Sequence, residues 1–188
     1  TLAQLVSDFV RAKLVPYCNE GVLTAAQRLA RAAAASGATR ARIVEVGANL
    51  GDCSLWAARR FLAAVGPQRA ELRALAFEAS PSSAAMMHRS VAANGLVGIV
   101  EVVPKAVSSH RAAAGEDRTL KLVSKPRSTN SFATESVALG FARQQHTKVL
   151  RVPVTSLDAV LLAGRVDLLV AHVSGQELSV LRGARRLL

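Results

Sequence analysis

The sequence predicts an α/β fold, a mostly parallel sheet with flanking helices. Three observations carry that prediction. Short apolar runs of β type alternate with segments of helical spacing over residues 42–103. The first run leads into a Gly-x-x-x-Gly turn, Gly47 to Gly51, that opens a helix. The second run ends in a carboxylate, Glu78, 27 residues beyond Gly51.

Taken in order, residues 2–14 have helical spacing through Leu2, Leu5, Val6, Phe9 and Val10, with Pro16 and Gly21 as punctuation. A second helix is expected over 24–35, with Leu29 on its apolar face and Ser36-Gly37 as its stop. Residues 1–40 thus read as an N-terminal helical segment and 41–188 as the α/β domain. Within that domain, 43–46 is a strand, 52–65 a helix closed by Gly66-Pro67, and 72–77 the next strand. Ser80 and Pro81 suit the cap and first position of a helix reaching Asn94-Gly95, because proline lacks an N–H that would go unused there. Residues 99–103 form a third strand. The polar stretch 108–148 breaks the rhythm and is expected to be an insertion or hairpin, with a strand over 120–123 and a loop over 128–131. Regularity returns with a strand at 150–154, a short helix near 156–162, a strand at 166–173 and a helix at 176–188.

Composition excludes several classes. At 51% hydrophobic, the 188-residue chain can bury a core and is not intrinsically disordered. Two cysteines, Cys18 and Cys53, make no disulfide scaffold, and no Cys/His spacing suggests a metal site. No apolar run is long enough for a membrane span. The balance of 24 basic against 13 acidic residues gives +11, and 19 of the cations are arginine. Codon bias accounts for that excess as well as an anionic partner such as RNA or an acidic lipid surface does, and both readings stay open at this level. With 4% aromatics, a base-stacking single-strand binder is disfavoured.

The chemistry concentrates in Ile43-Val44-Glu45-Val46-Gly47-Ala48-Asn49-Leu50-Gly51. Gly47 permits a tight turn out of the strand, and Gly51 lets the next helix begin close to a ligand at the strand's carboxyl end. No Gly-Lys-Ser/Thr follows, so this is no phosphate loop. In a nucleoside-binding α/β fold, an acid placed like Glu78 accepts hydrogen bonds from both hydroxyls of a ribose. Cys53, at the start of a helix, reads as a small residue packed under the glycine turn, and Trp56 as a core aromatic. His88, His110 and His146 lack ligand spacing and read as surface residues. Arg59, Arg60, Arg69 and Arg73 form either a solvated face or a phosphate-contacting patch.

Together these residues resemble a class I S-adenosylmethionine-dependent methyltransferase, and more specifically the FkbM family. The resemblance runs from about Arg42 to Leu188. It is carried by Val44-Glu45-Val46-Gly47-Ala48-Asn49-Leu50-Gly51, by Phe77-Glu78-Ala79-Ser80-Pro81 with Asn94, and by Val152-Pro153-Val154-Thr155-Ser156-Leu157-Asp158. Val166-Asp167-Leu168-Leu169, Gly175-Gln176-Glu177 and Val180-Leu181-Arg182-Gly183-Ala184 complete it. It implies a Rossmann-like sheet of the class I methyltransferase type, in strand order 3-2-1-4 and lacking the last strands. It also implies S-adenosylmethionine as cofactor, with its methionine end near Glu45, Gly47 and Asn49, Gly51 in the same loop, and its ribose on Glu78.

The sequence departs from the family where the strand from Val166 usually ends Lys-Ile-Asp-Val-Glu-Gly. Here Val170, His172 and Ser174 stand at the three polar positions. His172 is the candidate base for methyl transfer to oxygen. The same changes suit an alternative: a non-catalytic structural subunit of a large, organellar ribonucleoprotein assembly that binds RNA or neighbours through its arginines. The unfinished sheet calls for a partner to cover its open edge. A mitochondrial or plastid location is the expectation from the basic charge and the absence of an initial Met, with the cytoplasm as the alternative.

Overall fold

The computed structural model describes residues 18–109, 119–124, 131–132, 148–161 and 164–188. The helix expected at 2–14 lies outside the described residues. Helix α1 (Glu20–Ser36) starts at Asn19, whose side chain accepts the Val22 N–H, and stops at the left-handed Gly37. Strand β1 (Arg40–Val46) follows, then helix α2 (Asp52–Val65), strand β2 (Glu71–Phe77), helix α3 (Pro81–Ala93) and strand β3 (Val100–Val103). Ser80 caps α3 with Pro81 in its first turn, as its sequence predicts. Beyond it lie β4 (Ala106–Val107), β5 (Thr119–Ser124), β6 (Ser131–Phe132), β7 (Lys148–Thr155), helix α4 (Leu157–Val160), β8 (Leu168–Ala171) and helix α5 (Glu177–Arg182).

The main sheet is parallel, in the order β3-β2-β1-β8. This is the 3-2-1-4 order that the resemblance implies. β1 is central: it pairs with β2 from Arg40 opposite Glu71 to Val46 opposite Phe77, and with β8 from Ile43 opposite Leu168 to Val46 opposite Ala171. Among the described residues, β8 takes no strand on its other side. In the second sheet β7 pairs in parallel with β4 and antiparallel with β5, which in turn pairs antiparallel with β6.

Alternation along β1 divides the core into two layers. Ala41 and Ile43 join Ala26 and Ala33 of α1, Leu55 and Phe61 of α2, and Met87 and Val91 of α3. Val44 and Val46 join Phe77, Val107, Leu157, Val180 and Ala184 on the opposite face. Burying such side chains from water supplies the main stabilisation of both layers.

Two elements near the end are shorter than their apolar patterns predict. The strand begins at Leu168 because Asp167 leaves the ladder: its carboxylate accepts the Arg42 N–H at 2.9 Å while its own N–H returns to the Arg42 carbonyl. Helix α5 ends at Arg182 because Gly183 lies against the Ser108 carbonyl, where a Cβ would collide. The Arg186 N–H then turns back to Asp158 Oδ1 at 3.0 Å. That contact gives Asp158 a structural role in closing the second core layer. Replacing Gly183 by Ala is expected to cost roughly 1–3 kcal/mol through overpacking against Ser108. The change in denaturant midpoint measures it, with the slope unaltered.

Candidate functional site

The carboxyl ends of β1, β2 and β8 meet at one edge of the main sheet. Open α/β sheets bind their ligands at such an edge. The chain leaving β1 turns at Gly47, with φ 82°, and at Asn49, with φ 51°. The Gly47 and Ala48 N–H groups both donate to the Phe77 carbonyl, at 2.9 and 3.0 Å. A Cβ on Gly47 would collide with the His172 carbonyl, so only glycine lets the exits of β1 and β8 approach this closely.

Gly51, with φ 84°, occupies the position just before α2. Here the close approach is made by the protein itself. A side chain at Gly51 would strike Met87 of α3, with its Sδ 2.9 Å away. Packing against Met87 and the left-handed backbone thus account for this glycine.

Two carboxylates stand at adjoining strand ends. Glu45 is 4% exposed and faces the first turn of α2. The Ser54 N–H donates to Glu45 Oε2 at 2.9 Å, and the Ser54 hydroxyl donates to the same oxygen. Burial raises the Glu45 pKa from 4.5 to about 7; the Ser54 bonds oppose this, and the negative charges of Asp52 and Glu78 add to it. Glu78, also buried, accepts the Asn49 N–H at 2.8 Å and the Ser80 N–H at 2.7 Å on its two oxygens. It thereby ties the loop after β1 to the loop after β2. Burial pushes its pKa up against those two donors.

His172 follows β8, its N–H on the Val46 carbonyl at 2.9 Å and its side chain exposed. The next turn uses left-handed backbone at Ser174, with φ 51°, and at Gly175, with φ 94°. Glu177 holds that turn: its carboxylate accepts the Val173 and Gly175 N–H groups, each at 3.0 Å. Its own backbone N–H first, and then those bonds, hold the Glu177 pKa below its usual range, and His172 nearby acts in the same direction.

The structure therefore brings Glu45, Gly47, Asn49, Gly51 and Glu78 into one continuous loop system, with the His172 backbone against Gly47. Sequence reasoning missed the parts of Ser54 and Glu177. The hydroxyl one turn into a helix that follows a strand-borne acid was a usable signal for Ser54. Glu177 stood in a recognised motif without a role. Cys53 is not a packed thiol, contrary to the sequence expectation. It is bonded to Cys18, their Cα atoms 5.1 Å apart, because the start of α1 lies against the start of α2. Trp56 is buried, with the Arg60 guanidinium 5.0 Å from its ring centre. Arg59, Arg69, Arg73 and His88 are exposed, whereas His110 and His146 lie outside the described residues. No group of side chains among the described residues could hold a metal ion, and no helix there is long and apolar enough to cross a membrane.

The methyltransferase FkbM domain model matches residues 45–188, and the chain belongs to that family. No curated protein matches it. Among solved structures, it is similar to an O-methyltransferase from Bacillus cereus in complex with S-adenosylhomocysteine, at 24% identity over 54% of this chain and 41% of that one, with a TM-score of 0.34. It is also similar to an S-adenosylmethionine-dependent methyltransferase from Thiobacillus denitrificans, again with S-adenosylhomocysteine, at 12% identity over 57% and 38% of the two chains, with a TM-score of 0.35. The chain thus spans about two fifths of the length of these structures.

The state of Glu45 sets a pH dependence. Above about pH 4.5 the unfolded chain has released this proton, whereas the folded chain keeps it up to about pH 7. The folded state binds more protons in that window, so stability falls as pH rises through it, by roughly 3 kcal/mol in all. Glu45→Gln preserves an oxygen for both Ser54 donors. It is expected to flatten this slope between pH 5 and 8 in denaturant titrations, and to be more stable than the parent at pH 8.

Proposed function

We propose that the chain binds S-adenosylmethionine across the ends of β1 and β2 and transfers its methyl group to a hydroxyl oxygen of a small molecule, sugar or lipid. The observation that carries this reading is the pair of buried carboxylates at adjoining strand ends, each fixed by N–H donors. Holding two acids out of water is costly, and a ligand that donates to both offsets that cost. Glu78 fits a ribose: its oxygens each take one backbone N–H and keep lone pairs for two hydroxyls. Glu45 fits an ammonium, which would draw the proton from its carboxyl and strengthen binding as pH passes 7.

When bound, the cofactor supplies an electrophilic methyl group on a sulfonium. The remaining work falls to the chain. His172, exposed beside Gly47, accepts the hydroxyl proton of the acceptor on an unprotonated ring nitrogen. Glu177 keeps the 172–175 turn in place through its two backbone bonds.

A second reading is favoured by the surface around α5. Leu178, Leu181 and Leu188 are exposed there, next to the exposed Arg182, Arg185 and Arg186, while Val170 and Ser174 stand where polar residues are usual in the family. That surface suits a structural subunit seated in a ribonucleoprotein, in an organelle, with a partner along the free edge of β8.

Calorimetry separates the two. S-adenosylhomocysteine is expected to bind with measurable heat and to raise Tm, and Glu78→Ala to weaken binding about tenfold or more. His172→Ala is expected to abolish methyl transfer while leaving the affinity within about twofold. Folded protein that gives no heat rejects the cofactor reading. Salt-sensitive binding to RNA would then favour the subunit.

A further inference from the structure

The chain's two cysteines are joined to each other, so neither has another partner within the chain. Small domains use disulfides to compensate for a core too small to hold them folded. This domain has two buried layers, one on each face of its main sheet, and is not of that kind. The position of the bond calls for another explanation.

Cys53 is the second residue of α2. The loop before it is continuous with the helix: the Gly51 N–H donates to the Ala48 carbonyl at 2.7 Å, and the Leu55 N–H to the Gly51 carbonyl at 2.8 Å. The next residue, Ser54, makes both bonds to Glu45. Any displacement of Cys53 is therefore felt by Glu45 and by the turn at Gly47–Gly51. Cys18, in contrast, immediately precedes Asn19, the cap of α1. Cys18 lies outside its helix, before the cap, whereas Cys53 lies within α2, so Cys18 stands on the more yielding side of the bond.

We propose that Cys18–Cys53 is a thiol–disulfide exchange site which couples the redox state of the chain to the order of the Gly47–Ser54 loop, and through it to cofactor affinity. The last step rests on the methyltransferase reading; the first does not. In the oxidised form the bond fastens the start of α2 to the start of α1. A dithiol reductant opens it. One thiolate attacks a protein sulfur and forms a mixed disulfide, releasing the other protein sulfur. The second thiolate of the reductant then displaces the remaining protein sulfur. The protein gains two electrons and two protons as two thiols, and the reductant leaves as its own disulfide. In the open form the first turn of α2 keeps its hydrogen bonds but loses its covalent anchor.

The chain carries its own reporter. Trp56 is its only tryptophan and lies three residues after Cys53 on α2, hence on the same side of the helix. Protein purified without reductant, then unfolded and titrated with a thiol reagent, is expected to show no free thiols; two thiols would overturn the proposal. Dithiothreitol added to the folded protein is expected to change Trp56 emission and to speed hydrogen exchange at the amides of residues 49–55, both reversed by reoxidation. Unaltered exchange on reduction would make the bond a staple only and overturn the coupling.

Titration with S-adenosylhomocysteine is expected to give about tenfold weaker binding to the reduced form. Equal affinities would overturn the link to the cofactor. If neither form binds, the methyltransferase reading fails, while the exchange measurement still judges the coupling. Cys18→Ser is expected to match the reduced parent and to ignore dithiothreitol. Should that variant not fold, reduction of the parent decides alone.

Discussion

Between the exit of β1 and the exit of β8 there is no room for a side chain. Gly47 fills that gap with backbone alone, against the His172 carbonyl, and its N–H and that of Ala48 share the Phe77 carbonyl. Three strand ends are thereby held at one place. Along the loop from Gly47 to Gly51, Met87 packs close to the far end and Glu78 holds the middle through the Asn49 N–H. The candidate site is in this sense a by-product of close packing: the same contacts that seal the sheet's end also aim two carboxylates and a ring of peptide groups at it.

The electrostatics of that end run against the rest of the molecule. The chain is +11 overall, yet the negative charges of Asp52 and Glu78 act on Glu45 across a few residues of loop. Burial raises the pKa of Glu45 and of Glu78, and for Glu45 those neighbouring charges add to it. Three of the described arginines are engaged elsewhere. Arg40 pairs with Glu71 and Arg165 with Asp167, away from the loop, and Arg60 lies over Trp56. Among the described residues, the exposed arginines and the buried acids are separate features.

How much of this could be read beforehand depended on whether the cause was local. The β1 strand, the Gly47 turn and the capped start of α3 follow from neighbouring residues, and their sequence patterns are clear. The pairing of Cys18 with Cys53 depends on how two helices meet, which no local pattern records. Asp167 reads as part of an apolar strand from residue 166, and only the nearness of Arg42 in the fold explains why the ladder starts at Leu168. The same holds for Gly183, whose role is set by the carbonyl of Ser108, far away in sequence. Glu45 and Glu78 were placed by motif, but their shared burial and the part played by Ser54 needed three dimensions.

The central position of β1 has a consequence for the birth of the molecule. Its partner β2 follows within a few tens of residues, but its other neighbour, β8, begins at Leu168, and the Arg42–Asp167 contact that locks the pair spans 125 positions. At about 5–20 residues per second, translation leaves that side of β1 bare for roughly 6–25 s. An apolar strand with one open edge is prone to pair with the wrong chain during that interval. The nascent polypeptide therefore passes through a stage in which its most buried strand is its most vulnerable, and shielding by the ribosome or a chaperone matters most between the emergence of β1 and that of β8.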